Sequence, residues 1–521
     1  MTNMAMGTVM GTGMAIRLDG CSLIALGVSL GLLAAPAMAG EWTITPSISV
    51  TETATDNVDQ VDKHRTSSLI TDISPGIFIA GEGDRVKLRF DYRMHNLFYS
   101  DDSSRNEVQN SLNAFGTLEA LENWFFVDAY ASISQQNLSA FRGSTYSSSV
   151  DTNNSNNTTE TSTYRISPYF KGILGTSTDY ELRYNLSKTT ADEGSGYDTE
   201  TRGFSGRLAG MTRFSQFGWM LDGFTQKSKF DRGRDTEADL VRGTLTYRYD
   251  PQFRVSLIAG WESNDYNSLD MESHTIKGAG FEWAPTDRTL LSARREDRFF
   301  GNSDNITFTH RTAGSAWSYR QTKDAYTSTD ERSGTVGTYY SLFDSLFSSA
   351  IPNPAARAAY INALLLSNGI SPNAQLQGGF LTTGVTLQNR KELSFALIGV
   401  RNTVTFAATK SDTQAFTGSI GSGWYAGTDF SNVNNVDQTG ASVNWSHKLT
   451  GLSTLTGTVA RLESKSGGGG TYQTDETLVA INFLTRLGPK TTAGLGARRV
   501  EVDGTTNYTE NVLTGTISHQ F

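Results

Sequence analysis

Residues 85–95 read RVKLRFDYRMH, and their alternation is strict. Val86, Leu88, Phe90, Tyr92 and Met94 share one parity, while Arg85, Lys87, Arg89, Asp91, Arg93 and His95 share the other. A helix would scatter both sets around its circumference, whereas a strand sends them to opposite faces. The pattern recurs. Tyr180, Leu182, Tyr184 and Leu186 oppose Glu181, Arg183, Asn185 and Ser187. Ala441, Val443 and Trp445 oppose Ser442, Asn444 and Ser446, and Leu513 and Ile517 oppose Thr514, Thr516 and Ser518. A chain of such segments needs a different medium on each face. A soluble sandwich offers core and water, but these runs exceed the about 5–6 residues of an ordinary soluble strand. They suit the about 9–11 residues that a tilted membrane strand requires.

Composition narrows the choice. The 521 residues are 19% charged and 11% aromatic, with a mean hydropathy of -0.35. Beyond residue 40 no run approaches the roughly 18 consecutive apolar residues of a helical span. A polar but aromatic-rich chain fits a barrel with a wet lumen and a lipid-facing exterior. Trp124, Trp219, Trp261, Trp283, Trp317 and Trp445 fall near strand ends or on the apolar face, as interfacial girdles require. Short connections near 81–84, 121–123, 250–252, 285–287, 449–451 and 488–490 alternate with longer polar ones. The long ones lie near 54–65, 137–160, 191–199, 263–271, 413–435 and 464–472. The expected fold is therefore all-β, one large antiparallel transmembrane β-barrel of about 18–22 strands, best counted as 22.

The apolar run at 21–39 ends in Ala37-Met38-Ala39, a small-x-small site. It reads as a secretory signal peptide over 1–39, with the barrel over 40–521. Cys21, the only cysteine, falls in that leader, so no disulfide or thiol chemistry is expected afterwards. A net charge of -9 argues against a nucleic-acid partner. Phe521 ends an alternating segment that resembles the signal read by barrel-assembly machinery. That machinery is an expected partner, as are outer-membrane lipid and lipopolysaccharide, which places the protein in a Gram-negative outer membrane. One segment breaks the period. In 339–369, Leu342, Leu346 and Phe347, then Ala358, Ile361, Leu365 and Leu366, follow helical spacing. Counting strands places this helical insert at the periplasmic end or folded up into the lumen.

The barrel interior carries the functional content. Arg85, Lys87, Arg89, Arg93, His95, Arg183, Arg242, Arg248, Arg254, Arg294 and Arg298 are expected to line the pore, with Arg165 and Arg207 on the same face. Acids on that face include Asp91, Asp128, Glu181, Asp222, Glu282 and Glu296. Two readings follow: cross-strand ion pairing in a wet lumen, or an electropositive track for an anionic solute. The six histidines show no metal-ligand spacing. His95 with Asp101, or His310, could be imagined as a dyad, but no short motif supports either, so no enzyme, catalytic residue, metal or cofactor is expected.

WTITPSISVTETATDNV (42–58) and SLITDISPGIFIAGEGDRVKLRFDYRM (68–94) resemble the start of an uncharacterised outer-membrane β-barrel family. That family accompanies PEP-CTERM/exosortase and exopolysaccharide gene clusters. LNAFGTLEALENWFFVDAYASISQQN (112–137), PNPAARAAYINALLLSNGI (352–370) and RKELSFALIGVRNTVTF (390–406) extend the resemblance over most of the chain after residue 40. It implies a channel taking part in exopolysaccharide export beside periplasmic polysaccharide-export proteins, and it supplies no catalytic residues. The alternatives are a general or anion-preferring porin, a structural surface protein, and a rim-located lipid hydrolase.

Overall fold

A computed structural model describes residues 40–143, 150–153, 157–191, 197–326, 343, 357, 361, 380–416, 428–467 and 472–521. The first strands are β1 (Gly40–Thr55), β2 (Ser68–Gly83), β3 (Val86–Tyr99), β4 (Glu107–Leu121), β5 (Phe125–Asn137), β6 (Thr158–Leu174) and β7 (Thr178–Ala191). Next come β8 (Thr199–Met211), β9 (Phe217–Phe230), β10 (Thr236–Arg248), β11 (Phe253–Asn264), β12 (Glu272–Thr286), β13 (Thr289–Arg298), β14 (Gly301–Arg311) and β15 (Ser315–Tyr326). The last are β16 (Thr386–Ile398), β17 (Asn402–Ala415), β18 (Asn435–Lys448), β19 (Ser453–Ser466), β20 (Gln473–Arg486), β21 (Thr491–Gly504) and β22 (Tyr508–Gln520). They form one 22-stranded antiparallel sheet in sequence order. β22 pairs back onto β1, from Ser47 opposite Gln520 to Thr55 opposite Val512. Closure removes the unpaired edge that lipid could not solvate.

The alternation read from the sequence is the alternation of the wall. On β18, Val443 and Trp445 are exposed on the outer surface. On the same strand Asn444 turns inward to donate to Thr458 Oγ1 at 2.8 Å. Leu257, Leu393, Val459, Ile481, Leu495, Leu513 and Ile517 likewise stand on the outside, exposed in the absence of lipid. An apolar exterior around a polar interior inverts a soluble protein and suits a bilayer-spanning barrel. Pro285, which lacks an N–H, falls where the β12–β13 register shifts between Trp283 and Thr286, so it breaks no regular ladder.

The long connections all lie at one end of the barrel; Gly40, Gln520 and most short turns lie at the other, the exceptions being the tight connections 299–300 and 505–507. This corrects one expectation. β15 ends and β16 begins at the long-loop end, so the 327–385 connection leaves from there and not from the short-turn end. The expected total of 22 strands holds, but the end assigned to this connection does not: the hairpin 299–300 is as tight as a periplasmic-type turn although it sits among the long loops. Of the expected helical insert only Phe343, Arg357 and Ile361 are described, each with helical backbone. The remainder lies outside the described residues, as does the expected signal peptide 1–39.

Candidate functional site in the lumen

The parity of each strand fixes which side chains enter the bore. Lys87, Arg89, Asp91, Arg93 and His95 are inward on β3, in step with the buried Leu97 and Tyr99. Arg183 is inward on β7, Arg242 and Arg248 on β10, Arg254 on β11, and Arg294 and Arg298 on β13. Arg85 departs from the expected set: it sits in the turn between β2 and β3 at the short-turn rim, 3.5 Å from Glu122. Lys87, paired with Glu82 at 2.5 Å, and Arg254, paired with Glu282 at 2.5 Å, also lie near that rim.

The arginines of β10–β13 form a paired ladder. Arg242 lies 2.8 Å from Asp222 on β9 and 3.1 Å from Glu296 on β13. Glu296 also takes Arg294 at 3.4 Å. Arg298 meets Glu262 at 2.8 Å and Asp324 at 3.5 Å. Reaching Glu296 from β10 means crossing two strands, a wall distance of roughly 14 Å. Two glycines make this possible. Gly260 stands beside Arg242 and Gly278 beside Glu296. A Cβ on Gly278 would come within 2.8 Å of Glu296 Cγ, and one on Gly260 within 3.1 Å of Arg242 Cα. The ladder is the cross-strand pairing reading of these charges; the arc from β9 to β15 is charged but locally compensated. In contrast, the inward positions of β17–β19, such as Thr405, Thr409, Ser442, Thr456 and Ser464, carry small hydroxyls.

His95 has partners that sequence spacing could not supply. Its Nδ1 lies 2.8 Å from Asp72 Oδ2 and 3.2 Å from Ser74 Oγ, and Ser74 donates to Asp72 Oδ1 at 2.6 Å. Asp101, the expected partner, instead pairs with Arg105 at 3.0 Å. A nucleophile relay needs serine and carboxylate on opposite ring nitrogens; here both share Nδ1, and Nε2 is buried without a hydrogen-bond partner. His310 is remote, bonded to Thr289 at 2.9 Å near the short turns. The geometry is that of a buried structural cluster, and it does not support hydrolysis.

The feature that sequence reading missed is at the long-loop mouth. Residues 138–143, which follow β5, and 150–153, which precede β6, dock on inward-facing residues of distant strands. Thr474 on β20 donates to Phe141 O at 2.7 Å, and Phe141 packs with Ala140, Phe380, Phe430 and Val436 of β18. Asn153 reaches Glu510 on β22 at 3.5 Å. The loop then returns: Val150 packs against Val58, Ile70, Leu97 and Tyr99, and the Asp151 backbone exchanges hydrogen bonds with the Gln109 amide at 2.7 and 2.8 Å. A second apolar group, Phe230, Val385, Leu387 and Phe416 with Tyr266, Phe299 and Phe300, packs over the rim from β9 to β17. Within the first group, Phe380 meets Phe430 with 5.7 Å between ring centroids. Asp429 fastens the crossing loop. Its Oδ2 accepts from Ala140 N and its Oδ1 from Ser139 Oγ, both at 2.7 Å. Burial pushes the Asp429 carboxyl up from its ordinary value, against the opposing pull of these two donors and Arg142. Among the described residues, these contacts tie segments of the long-loop end to inward-facing positions across the bore.

No family model matches the chain, and no curated protein matches it. Solved structures do. The ferric-catecholate import receptor Fiu from K12 E. coli is 8% identical with a TM-score of 0.46, covering 92% of this chain and 82% of that one. The siderophore receptor PirA from Pseudomonas aeruginosa is 8% identical with a TM-score of 0.38, covering 91% and 80%. The outer membrane protein opdK from Pseudomonas aeruginosa is 10% identical with a TM-score of 0.31, covering 92% and 99%.

Proposed function

We propose that this chain is a gated channel of a Gram-negative outer membrane, carrying a hydrophilic solute through its lumen. The observation that carries the reading is the crossing segment 138–143, docked by Asp429, Thr474 and Val436 onto a bore lined with polar and ion-paired side chains. A structural surface barrel would have no use for a wet, ordered interior, and a permanently open porin would not tie apolar clusters across its own mouth. The solute is read as a polysaccharide segment, exported with periplasmic polysaccharide-export proteins in a PEP-CTERM/exosortase-type system. That finer reading rests on the sequence resemblance and on a lumen rich in hydroxyl, guanidinium and carboxylate groups. Lipopolysaccharide and membrane lipid surround the apolar exterior, and barrel-assembly machinery reads the segment ending in Phe521.

Planar-bilayer recording of the purified protein tests the channel. Rare openings of large conductance are expected, becoming frequent when 139–153 is deleted. A barrel that never conducts, with or without this loop, refutes the channel. Deletion of the gene tests export: polymer should accumulate in the periplasm, and unchanged surface polymer rules the exporter out.

A further inference from the structure

Among the described residues away from strand ends, the large apolar side chains that stay well exposed point outward, with two exceptions. Phe115 on β4 and Phe224 on β9 point into the lumen and remain 50% and 39% exposed. An aromatic face held bare in a wet bore costs free energy unless something covers it. Their surroundings tell what could. Phe115 faces Tyr130 on β5, and Tyr130 faces Arg165 on β6. Next along β5, Asp128 accepts from Thr117 Oγ1 and from Arg183 Nη1, both at 2.8 Å. One step further, Phe126 stacks on Tyr169 at 5.2 Å, with Lys171 4.0 Å over the first ring and Arg183 3.8 Å over the second. The same residue row runs from Arg183 through Ser205 to Phe224. Two open aromatic faces are therefore separated by forked hydrogen-bonding groups, over five strand spacings or roughly 24 Å of wall.

We infer that the arc from β3 to β9 is a binding site for an acidic saccharide chain, with Phe115 and Phe224 stacking on the C–H faces of its rings. The Asp128–Arg183 pair between them offers an acceptor and a planar donor fork to ring hydroxyls. A purely apolar solute would leave these polar groups uncovered. A polyphosphate has no C–H ring face to cover Phe115 and Phe224. Arg89 and Arg93 flank Asp91 on β3, and Arg165 and Arg207 join them on the same face, so bases exceed acids and a sugar carboxylate is favoured over a neutral sugar. This inference deepens the channel reading by naming its solute class, and it is testable without conduction.

The test is calorimetric titration of the detergent-solubilised protein with hexagalacturonate and with maltohexaose, at low and raised salt. The acidic hexamer should bind at least about tenfold tighter than the neutral one and weaken with salt. Phe115→Ala and Phe224→Ala should each weaken it roughly tenfold, the scale of one lost ring contact. Phe98→Ala, on the lipid face, should change nothing, and heat-modifiable gel migration checks that each variant is folded. Equal binding of both hexamers, no binding, or full binding by folded Phe115→Ala and Phe224→Ala protein overturns the proposal. Binding without conductance would sink the channel and leave the site; gated conductance without binding would do the reverse.

Discussion

Removing the Asp429 carboxylate should release the crossing loop. Asp429 holds two donors of that loop, the Ala140 amide and the Ser139 hydroxyl, each at 2.7 Å. Leaving a buried donor without its acceptor costs about 1–3 kcal/mol, for a neutral carboxyl as for a carboxylate. Water can enter the loosened mouth, so about 1.5 kcal/mol applies to each bond, about 3 kcal/mol in all. That shifts the closed-to-open ratio roughly a hundredfold. In planar bilayers Asp429→Ala should therefore open about a hundred times more often than the parent, at unchanged single-channel conductance. Asp429→Asn keeps one carbonyl acceptor and a neutral group, which the buried setting favours, and should stay mostly closed. The pH dependence has a definite sign. Burial raises the docked carboxyl's pKa, so docking binds a proton. Closure is strongest below the ordinary aspartate value near about 3.9 and weakens as pH rises through the raised value. Asp151, also raised by burial and offset by Thr158 and Asn153, acts in the same direction. Openings that stay equally rare in Asp429→Ala, or an Asp429→Asn as open as the alanine variant, would refute the latch.

The ladder, the wall and the loop packing give three more tests. Glu296→Gln leaves Arg242 and Arg294 without their shared carboxylate. It should cost about 1–3 kcal/mol in a wet lumen, read as earlier urea unfolding, and shift the reversal potential toward anions. Val443→Arg places a charge on the lipid face of β18 and should cost about 2–4 kcal/mol near mid-bilayer. Ser442→Arg, one residue away on the lumen face, should fold into liposomes almost as well as the parent; equal losses would show that the faces are assigned wrongly. Gly143 leaves no room for a side chain beside Tyr508, so Gly143→Leu should undock the loop and raise open probability in the same recordings.

Much of the wall was legible because a period of two is a local signal. The runs at 85–95, 180–187 and 441–446 set lumen and lipid faces that the pairing then reproduces. The count of strands followed from turn spacing. What was not legible depends on contacts across the bore. Asp72 and Ser74 meet His95 only through the β2–β3 register. Arg242 meets Glu296 only because Gly260 and Gly278 clear the two strands between them. The polar tract at 137–160 reads as a surface loop by composition, yet Ala140, Phe141 and Val150 within it are enough to dock it inside. These apolar residues among serines and asparagines give no periodic signal, and their partners lie far along the chain, Leu97 and Tyr99 for Val150 and Val436 for Phe141.

The distribution of inward groups also bears on how a channel of this build would select. An arginine held by two carboxylates, as Arg242 and Arg298 are, contributes little net field along the bore; its effect is short-ranged and directional. The β9–β15 arc therefore presents fixed forks and acceptors, while the β17–β19 arc presents hydroxyls that exchange partners with water at small cost. A small ion meets little that is specific to it on either surface. An extended solute touching the aromatic arc and the ladder together meets stacking faces and forks at fixed spacing, so selection in this bore would act on length and shape as well as on charge. Neutralising one member of the ladder should then change ion selectivity more than it changes oligosaccharide binding, whereas removing Phe115 should do the opposite. Measuring reversal potential and hexamer affinity on Glu296→Gln and Phe115→Ala side by side separates the two; parallel losses in both variants would mean that one electrostatic field, and not two distinct surfaces, governs the lumen.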